Sequence, residues 1–176
     1  MSLKVLYHGT DIISARNIFE SKIVNVDCGI GSADFGKGFY TTDDRIQAEQ
    51  WARHKAEVRS SSPAIVKMYF DKKAAEPIIE RFDDDLRWGR FIINNRNGYD
   101  YINRIPFKEH NLDRRYQITI GRIADVRVLS VVKQLYLENK MLDSLSEILN
   151  PEYPLQIVFH TQFATTFIKK ISYQNV

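Results

Sequence analysis

The chain has 176 residues, enough for a single domain spanning 1–176 with a core of its own. A hydrophobic share of 44% and a charged share of 27% are ordinary for a soluble globular protein, and the net charge of +3 is far from the concentrated basic face of a dedicated nucleic-acid binder. One cysteine, Cys28, rules out an internal disulfide or a multi-cysteine metal site, no apolar run approaches the ~18 residues of a membrane span, and the N-terminus lacks a secretory signal, so a cytoplasmic protein is expected.

Residues 4–8 (KVLYH), followed by Gly9-Thr10, predict a strand ending in a turn. Asp11 or Thr10 can cap a helix marked by Ile12, Ile13, Ala15, Ile18 and Phe19 and running to about Lys22. Four glycines (29, 31, 36 and 38) among polar residues make 25–38 a loop. Residues 39–42 (FYTT) predict a second strand. Asp43 and Asp44 supply the N-cap of a helix to about Val58, with Ile46, Ala48, Trp51, Ala52 and Ala56 as its apolar stripe. Residues 60–63 (SSSP) break it, and 64–70 (AIVKMYF) is the clearest strand in the chain.

The segment 71–116 is the least legible. A helix over 83–96 with Leu86, Phe91, Ile92 and Ile93 inward is expected, ended by Gly98, and 104–115 is read as a loop or exposed hairpin. A strand over 116–120 (YQITI) closes at Gly121, residues 126–132 suit either helix or strand, and 142–149 predict a short helix ended by Asn150-Pro151. A strand over 155–159 (LQIVF), a helix over 161–170 burying Phe163, Phe167 and Ile168, and an edge strand at 171–173 complete the chain. Strands and helices mix without the alternation of a doubly wound parallel sheet, so the fold class is α+β. Neither the P-loop spacing nor GxGxxG occurs.

Several side chains are placed for chemistry. His8 ends the first strand, where an imidazole can enter a cleft; a strand-end histidine satisfied by backbone is the plainer alternative. Tyr40 and Phe39 face opposite ways on their strand, so one ring enters the core and the other can line a cleft. Lys37, in the glycine-rich loop, could meet a phosphate. His54 lies on the polar side of a helix and His110 in a polar loop, and His160 suits a cap or packing role. Asp83, Asp84 and Asp85 are most simply a helix N-terminus, and Lys169 and Lys170 a helix C-terminus. No His or Cys pair has metal-ligand spacing, so no metal is inferred.

Three elements, LYHGT (6–10), GFYTT (38–42) and LQIVFHT (155–161), together resemble the His–Tyr–Glu type of ADP-ribosyltransferase. More closely, the chain resembles a bacterial family known as domain of unknown function 3990, itself similar to ADP-ribosyltransferases. That resemblance runs through DFGKGFYTT (34–42), QAEQWA (47–52), the Trp88, Phe91, Asn95 and Arg96 segment, YQITIGRIAD (116–125) and QIVFHT (156–161).

The resemblance implies two small, bent, antiparallel or mixed sheets flanked by helices, with a cleft for NAD as co-substrate. In it His8 would hydrogen-bond an adenosine ribose hydroxyl, the Gly9 backbone would pair with the nicotinamide amide, and Tyr40 would stack on nicotinamide, with Thr10, Lys37 and Gly38 lining the same cofactor site. Asn95 and Arg96 would lie near the phosphates, or order the helix end by a salt bridge. Gln156 stands where active transferases often carry Glu; glutamine keeps the hydrogen bonding but cannot act as a base. Either the acceptor needs little activation or another group provides it, with Asp34 and Asp125 as candidates and Asp34 preferred for its place in the loop before Tyr40. Val126 stands where a further Asp is expected.

The implied activity is mono-ADP-ribosyl transfer from NAD to an unidentified macromolecular or small acceptor, in a toxin or effector that could travel with an inhibitory partner protein. A catalytically silent NAD- or nucleotide-binding module is the alternative. An RNA-binding or RNA-cleaving domain rests only on the scattered Arg87, Arg90, Arg114 and Arg115. No membrane partner is expected.

Overall fold

Seven strands join in one sheet: β1 (Lys4–Asp11), β2 (Phe39–Thr42), β3 (Pro63–Phe70), β4 (Ile79–Phe82), β5 (Ile118–Arg122), β6 (Leu155–Phe159) and β7 (Ile168–Asn175). Their order is β4-β5-β6-β2-β1-β3-β7, with only β4 and β5 parallel. This computed structural model describes residues 3–28, 33–83, 85–97, 110–123, 130 and 154–176.

The architecture is mixed α+β as expected, but there is a single sheet where two were expected. β2 is the reason, because it pairs with β6 on one side and β1 on the other and so joins the two halves. The join is narrow. β1 pairs with β3 from Lys4–Phe70 through Asp11–Pro63, yet its register with β2 is confined to Tyr7–Thr42. Beyond Tyr7 the two strands part, and His8, Gly9 and Thr10 lie along that opening.

Pleat alternation sorts the side chains onto two faces. Leu6, Phe39, Val66, Met68, Ile118, Ile157 and Phe159 form the larger core on one face, with Ile12 and Ile18 of helix α1 (Ile12–Ser21) packed against it. On the other face, helix α2 (Arg45–Val58) lays Ala48 and Ala52 on Ile65 and Tyr7. Both helices start where the sequence places caps. The Asp11 carboxylate accepts from the Ile13 and Ser14 amides, and Asp44 from those of Ile46 and Gln47. Within the expected stripes the alanines are buried, but Ile13 and Ile46 are 64% and 67% exposed; the small residues, not the isoleucines, let α2 approach the sheet.

After β3 come the one-turn helix α3 (Lys72–Ala75) and β4, neither expected, and then α4 (Asp85–Asn97) as expected. Phe91, Ile92 and Ile93 of α4 are buried, with the Phe91 ring 3.9 Å from Phe82 and 5.4 Å from Phe35. The Leu86 side chain, Gly98, residues 104–109, the helix over 142–149 and 126–132 apart from Ser130 lie outside the described residues.

The expected helix over 161–170 is corrected. Helix α5 covers only Gln162–Thr165, Phe163 is 58% exposed, and β7 begins at Ile168. The edge strand foreseen at 171–173 thus starts three residues earlier. Lys170 takes a left-handed φ of 44°, and the register slips between Met68 and Tyr69, so Lys169 and Lys170 both reach solvent while the strand covers the open edge of β3. Two adjacent lysines mark a bulged edge here and not a helix end.

Among the described residues, no helix is long and apolar enough to cross a membrane.

Candidate functional site

A row of cross-strand neighbours runs through the middle of the sheet: Phe82 pairs with Gly121, Gly121 with Gln156, Gln156 with Thr42, Thr42 with Tyr7, and Tyr7 with Lys67. Directly opposed residues share a face, so Gln156, Thr42 and Tyr7 all point to the side covered by α2. Tyr40, two residues from Thr42 on β2, points there as well. Its neighbour Phe39 enters the opposite core, as the alternation predicts.

Gln156 is 2% exposed, and its Nε2 is buried without a hydrogen-bond partner among the described residues. Phe35 and Trp88 close over the adjacent Gly121: a Cβ there would lie 2.7 Å from Phe35 Cζ and 3.3 Å from Trp88 Cδ1. A buried, unmatched amide costs roughly 1–3 kcal/mol relative to a satisfied one. The Tyr40 hydroxyl, by contrast, is fully used: it donates to the Gly36 carbonyl at 2.6 Å and accepts from the Phe35 amide at 3.0 Å. Burial raises its pKa well above the ordinary value. Tyr40 therefore offers a ring and not an ionisable oxygen.

His8 sits on the other face. It follows Tyr7 on β1, its ring stacks on Phe39 at 4.3 Å, and its Nδ1 lies 2.6 Å from the Tyr40 carbonyl oxygen across the opening between β1 and β2. A carbonyl only accepts, so Nδ1 carries the proton. Burial first, and the Lys55 charge second, hold the His8 pKa well below 6.5, so the ring is neutral and Nε2 is an acceptor. His8, Tyr40 and Gln156 thus occupy three adjacent strands but not one face. A ligand touching all three must straddle the opening.

Gly9, the next residue, is required by α2. A Cβ on it would lie 2.0 Å from the Ala48 carbonyl oxygen. Its own carbonyl accepts from Lys55 Nζ at 2.9 Å. Lys55 is half-buried, and burial together with the Arg59 charge brings its pKa down to about 8. Thr10 is 3% exposed on the His8 side. Lys55 escaped the sequence reading because lysine on a helix is usually solvated. The available signal was its spacing: it falls seven residues after Ala48 and three after Ala52, on the stripe that faces the sheet.

The glycine-rich loop is fastened from both sides. His160, fully buried, receives a hydrogen bond from the Thr119 hydroxyl at Nε2 and donates from Nδ1 to the Lys37 carbonyl, each at 2.8 Å. Burial lowers its pKa to about 4, in keeping with this neutral tautomer. Gly38 packs so tightly there that a Cβ would meet the Phe159 carbonyl at 2.8 Å and His160 Nδ1 at 2.9 Å. On the other side Asn95 donates to the carbonyls of Asp34 and Phe91 and accepts from the Asn111 amide. Asp34 forms an ion pair with Arg96, the salt-bridge option for that arginine. Lys37 is 3.7 Å from Asp27, which also binds Arg114. Lys37 and Arg96, the cations expected to meet phosphate, are therefore both engaged by aspartates. Asp125 lies outside the described residues, and among those described no group of His, Cys, Asp and Glu could hold a metal.

A family model described as a protein of unknown function (DUF3990) matches residues 4–170. No curated protein and no solved structure matches the chain.

Proposed function

The chain belongs to the DUF3990 family, and from that premise we propose that it is an NAD-dependent mono-ADP-ribosyltransferase acting at the opening between β1 and β2. The observation that carries this reading is the buried Gln156 Nε2 without a partner, on the same face as Tyr40 and beside the place where the two strands part. A protein retains an unmatched buried donor at a cost, and a ligand acceptor offsets that cost on binding. The resemblance of LYHGT, GFYTT and LQIVFHT to His–Tyr–Glu transferases supplies the ligand's identity.

The residues suit NAD. Gln156 Nε2 donates to a ribose oxygen, the Tyr40 ring lies beside it as a flat platform, and His8 Nε2 accepts from a hydroxyl on the far side of the opening. The Gly9 carbonyl can take the carboxamide N–H once Lys55 yields it. Cleavage of the nicotinamide–ribose bond builds positive charge on the ribose, and a rigid, water-poor cleft holds the sugar for attack by the acceptor. Gln156 orients the ribose but takes no proton, so the acceptor nucleophile loses its proton elsewhere. Asp34 is the carboxylate in the loop leading to Tyr40, and its commitment to Arg96 weakens its case as that base.

The same two facts favour a second reading, a silent NAD-binding module. Incubation with NAD labelled in both halves separates the two. Release of nicotinamide that disappears in Tyr40→Ala and His8→Ala supports transfer; binding without release, unchanged by Gln156→Glu, supports the silent module. The acceptor, effector role and inhibitory partner are carried by the resemblance alone.

A further inference from the structure

Lys55 is unlike the other cations around the opening. Arg96 pairs with Asp34, and Lys37 and Arg114 both pair with Asp27. Lys55 reaches only a neutral acceptor, the Gly9 carbonyl, and has no ion-pair partner among the described residues. An ammonium carries three donors, and a half-buried one without a carboxylate is desolvated and largely unrewarded.

Its neighbours do not relieve it. Arg59, the C-cap residue just after α2, contacts Asp11 Oδ2 at 2.6 Å and the Ser14 hydroxyl at 2.8 Å. Asp11 is saturated. Its Oδ1 caps α1 through the Ile13 and Ser14 amides, and its Oδ2 takes the Ser14 hydroxyl as well as Arg59. Neutral His8 is the remaining titratable group that senses Lys55. Arg59 therefore occupies Asp11, and the Lys55 charge is left without a carboxylate where β1 parts from β2.

We propose that Lys55, with Arg59 beside it, binds a phosphate group of the ligand at this opening. The assignment goes beyond the NAD reading, since any phosphorylated ligand of the right shape would satisfy it. It also moves the phosphate contact from Lys37 and Arg96, which the sequence suggested, to a residue whose charge is free. Phosphate fits a lysine here because a point charge with rotatable donors can turn from the Gly9 carbonyl to an anion without rebuilding the helix. An anion docking there also draws Lys55 fully into its charged form.

Calorimetric titration of pyrophosphate and, separately, of NAD at pH 8 tests this, using the wild type, Lys55→Met and Lys55→Arg. The expected result is pyrophosphate binding by the wild type with net proton uptake, affinity at least tenfold weaker and no uptake in Lys55→Met, and binding retained in Lys55→Arg. Equal affinities in the wild type and Lys55→Met, or no pyrophosphate binding by any form, would overturn it. The two readings fail separately. Pyrophosphate binding that needs Lys55, with no NAD binding, leaves this site standing and removes NAD; NAD binding indifferent to Lys55→Met does the reverse. Melting curves of all three forms establish that each is folded.

Discussion

His8 Nδ1 lies 2.6 Å from the carbonyl oxygen of Tyr40, so the opening where β1 and β2 part is bridged by a side chain instead of a ladder. The bridge needs the proton on Nδ1, and burial keeps the rest of the ring neutral. His160 plays a similar part below the glycine-rich loop, between Thr119 and Lys37.

Stability should therefore fall on mild acidification. The native pKa of His160 is lowered to about 4 from 6.5, and that of His8 lies well below 6.5. Between those values and 6.5 the unfolded chain binds protons that the native state refuses, so stability drops as pH falls from about 6.5 towards 4, by roughly 3 kcal/mol for His160 at most. The aspartates act later. Burial alone would raise the Asp11 carboxyl, but hydrogen bonds from Ser14 and Arg59 outweigh it and hold the pKa far below 3.8, so that contribution is lost only below about 4. Urea unfolding across this range should show a shallower slope between pH 6.5 and 4 in His160→Asn than in the wild type. An identical slope would contradict the buried neutral histidine.

Gly9→Ala tests the contact that seats α2. The added Cβ would sit 2.0 Å from the Ala48 carbonyl oxygen and 2.7 Å from the Ala52 nitrogen, and both are backbone that cannot turn aside. A loss of more than about 3 kcal/mol is expected, beyond the usual range for an overpacked core. Denaturant unfolding measures it, and a change below about 1 kcal/mol would mean that α2 is not held this closely.

Lys55→Met should stabilise the free protein. Its pKa falls to about 8 from 10.5, so the native state pays for the charged form below pH 8 and recovers the difference as pH rises from about 8 to above 10. The variant should melt higher than the wild type at pH 7, and the gap should narrow over that range. A variant that melts lower at every pH would show that the hydrogen bond to Gly9 outweighs the desolvation of the charge.

Much of the architecture was legible in the sequence. The apolar runs at 64–70 and 155–159 and the aspartate caps at 11 and 44 appear where expected, because each combines a strong local pattern with its own boundary signal. β4 was missed because IERF is short and half polar, and its place is set by the parallel partner β5. At 161–170 the apolar residues fit a helical period, but the open edge of β3 offered backbone hydrogen bonds that a helix would have left unused. For the site, the alternation of Phe39 and Tyr40 was readable, but β1 continues through His8, Gly9 and Thr10 to Asp11 where a strand end and a turn were expected, because the ladder with β3 holds those residues extended. The opposite faces of His8 and Gln156 follow from the register across β6, β2 and β1. Lys55 and His160 act through tertiary contacts with Gly9 and Lys37, separated from them by 46 and 123 residues, and no local pattern encodes those.

The central claim is that the unmatched Gln156 amide waits for a ligand, and that the ligand is NAD. Calorimetric titration of NAD into the wild type and into Gln156→Leu tests it most directly. Leucine removes the buried unpaired Nε2 while nearly keeping the side-chain volume, so the variant should melt close to the wild type, within about 1 kcal/mol. The account predicts that the wild type binds NAD and that Gln156→Leu, fully folded, binds it at least tenfold more weakly. Equal affinity in the two proteins, or no binding of NAD by the wild type, would contradict it.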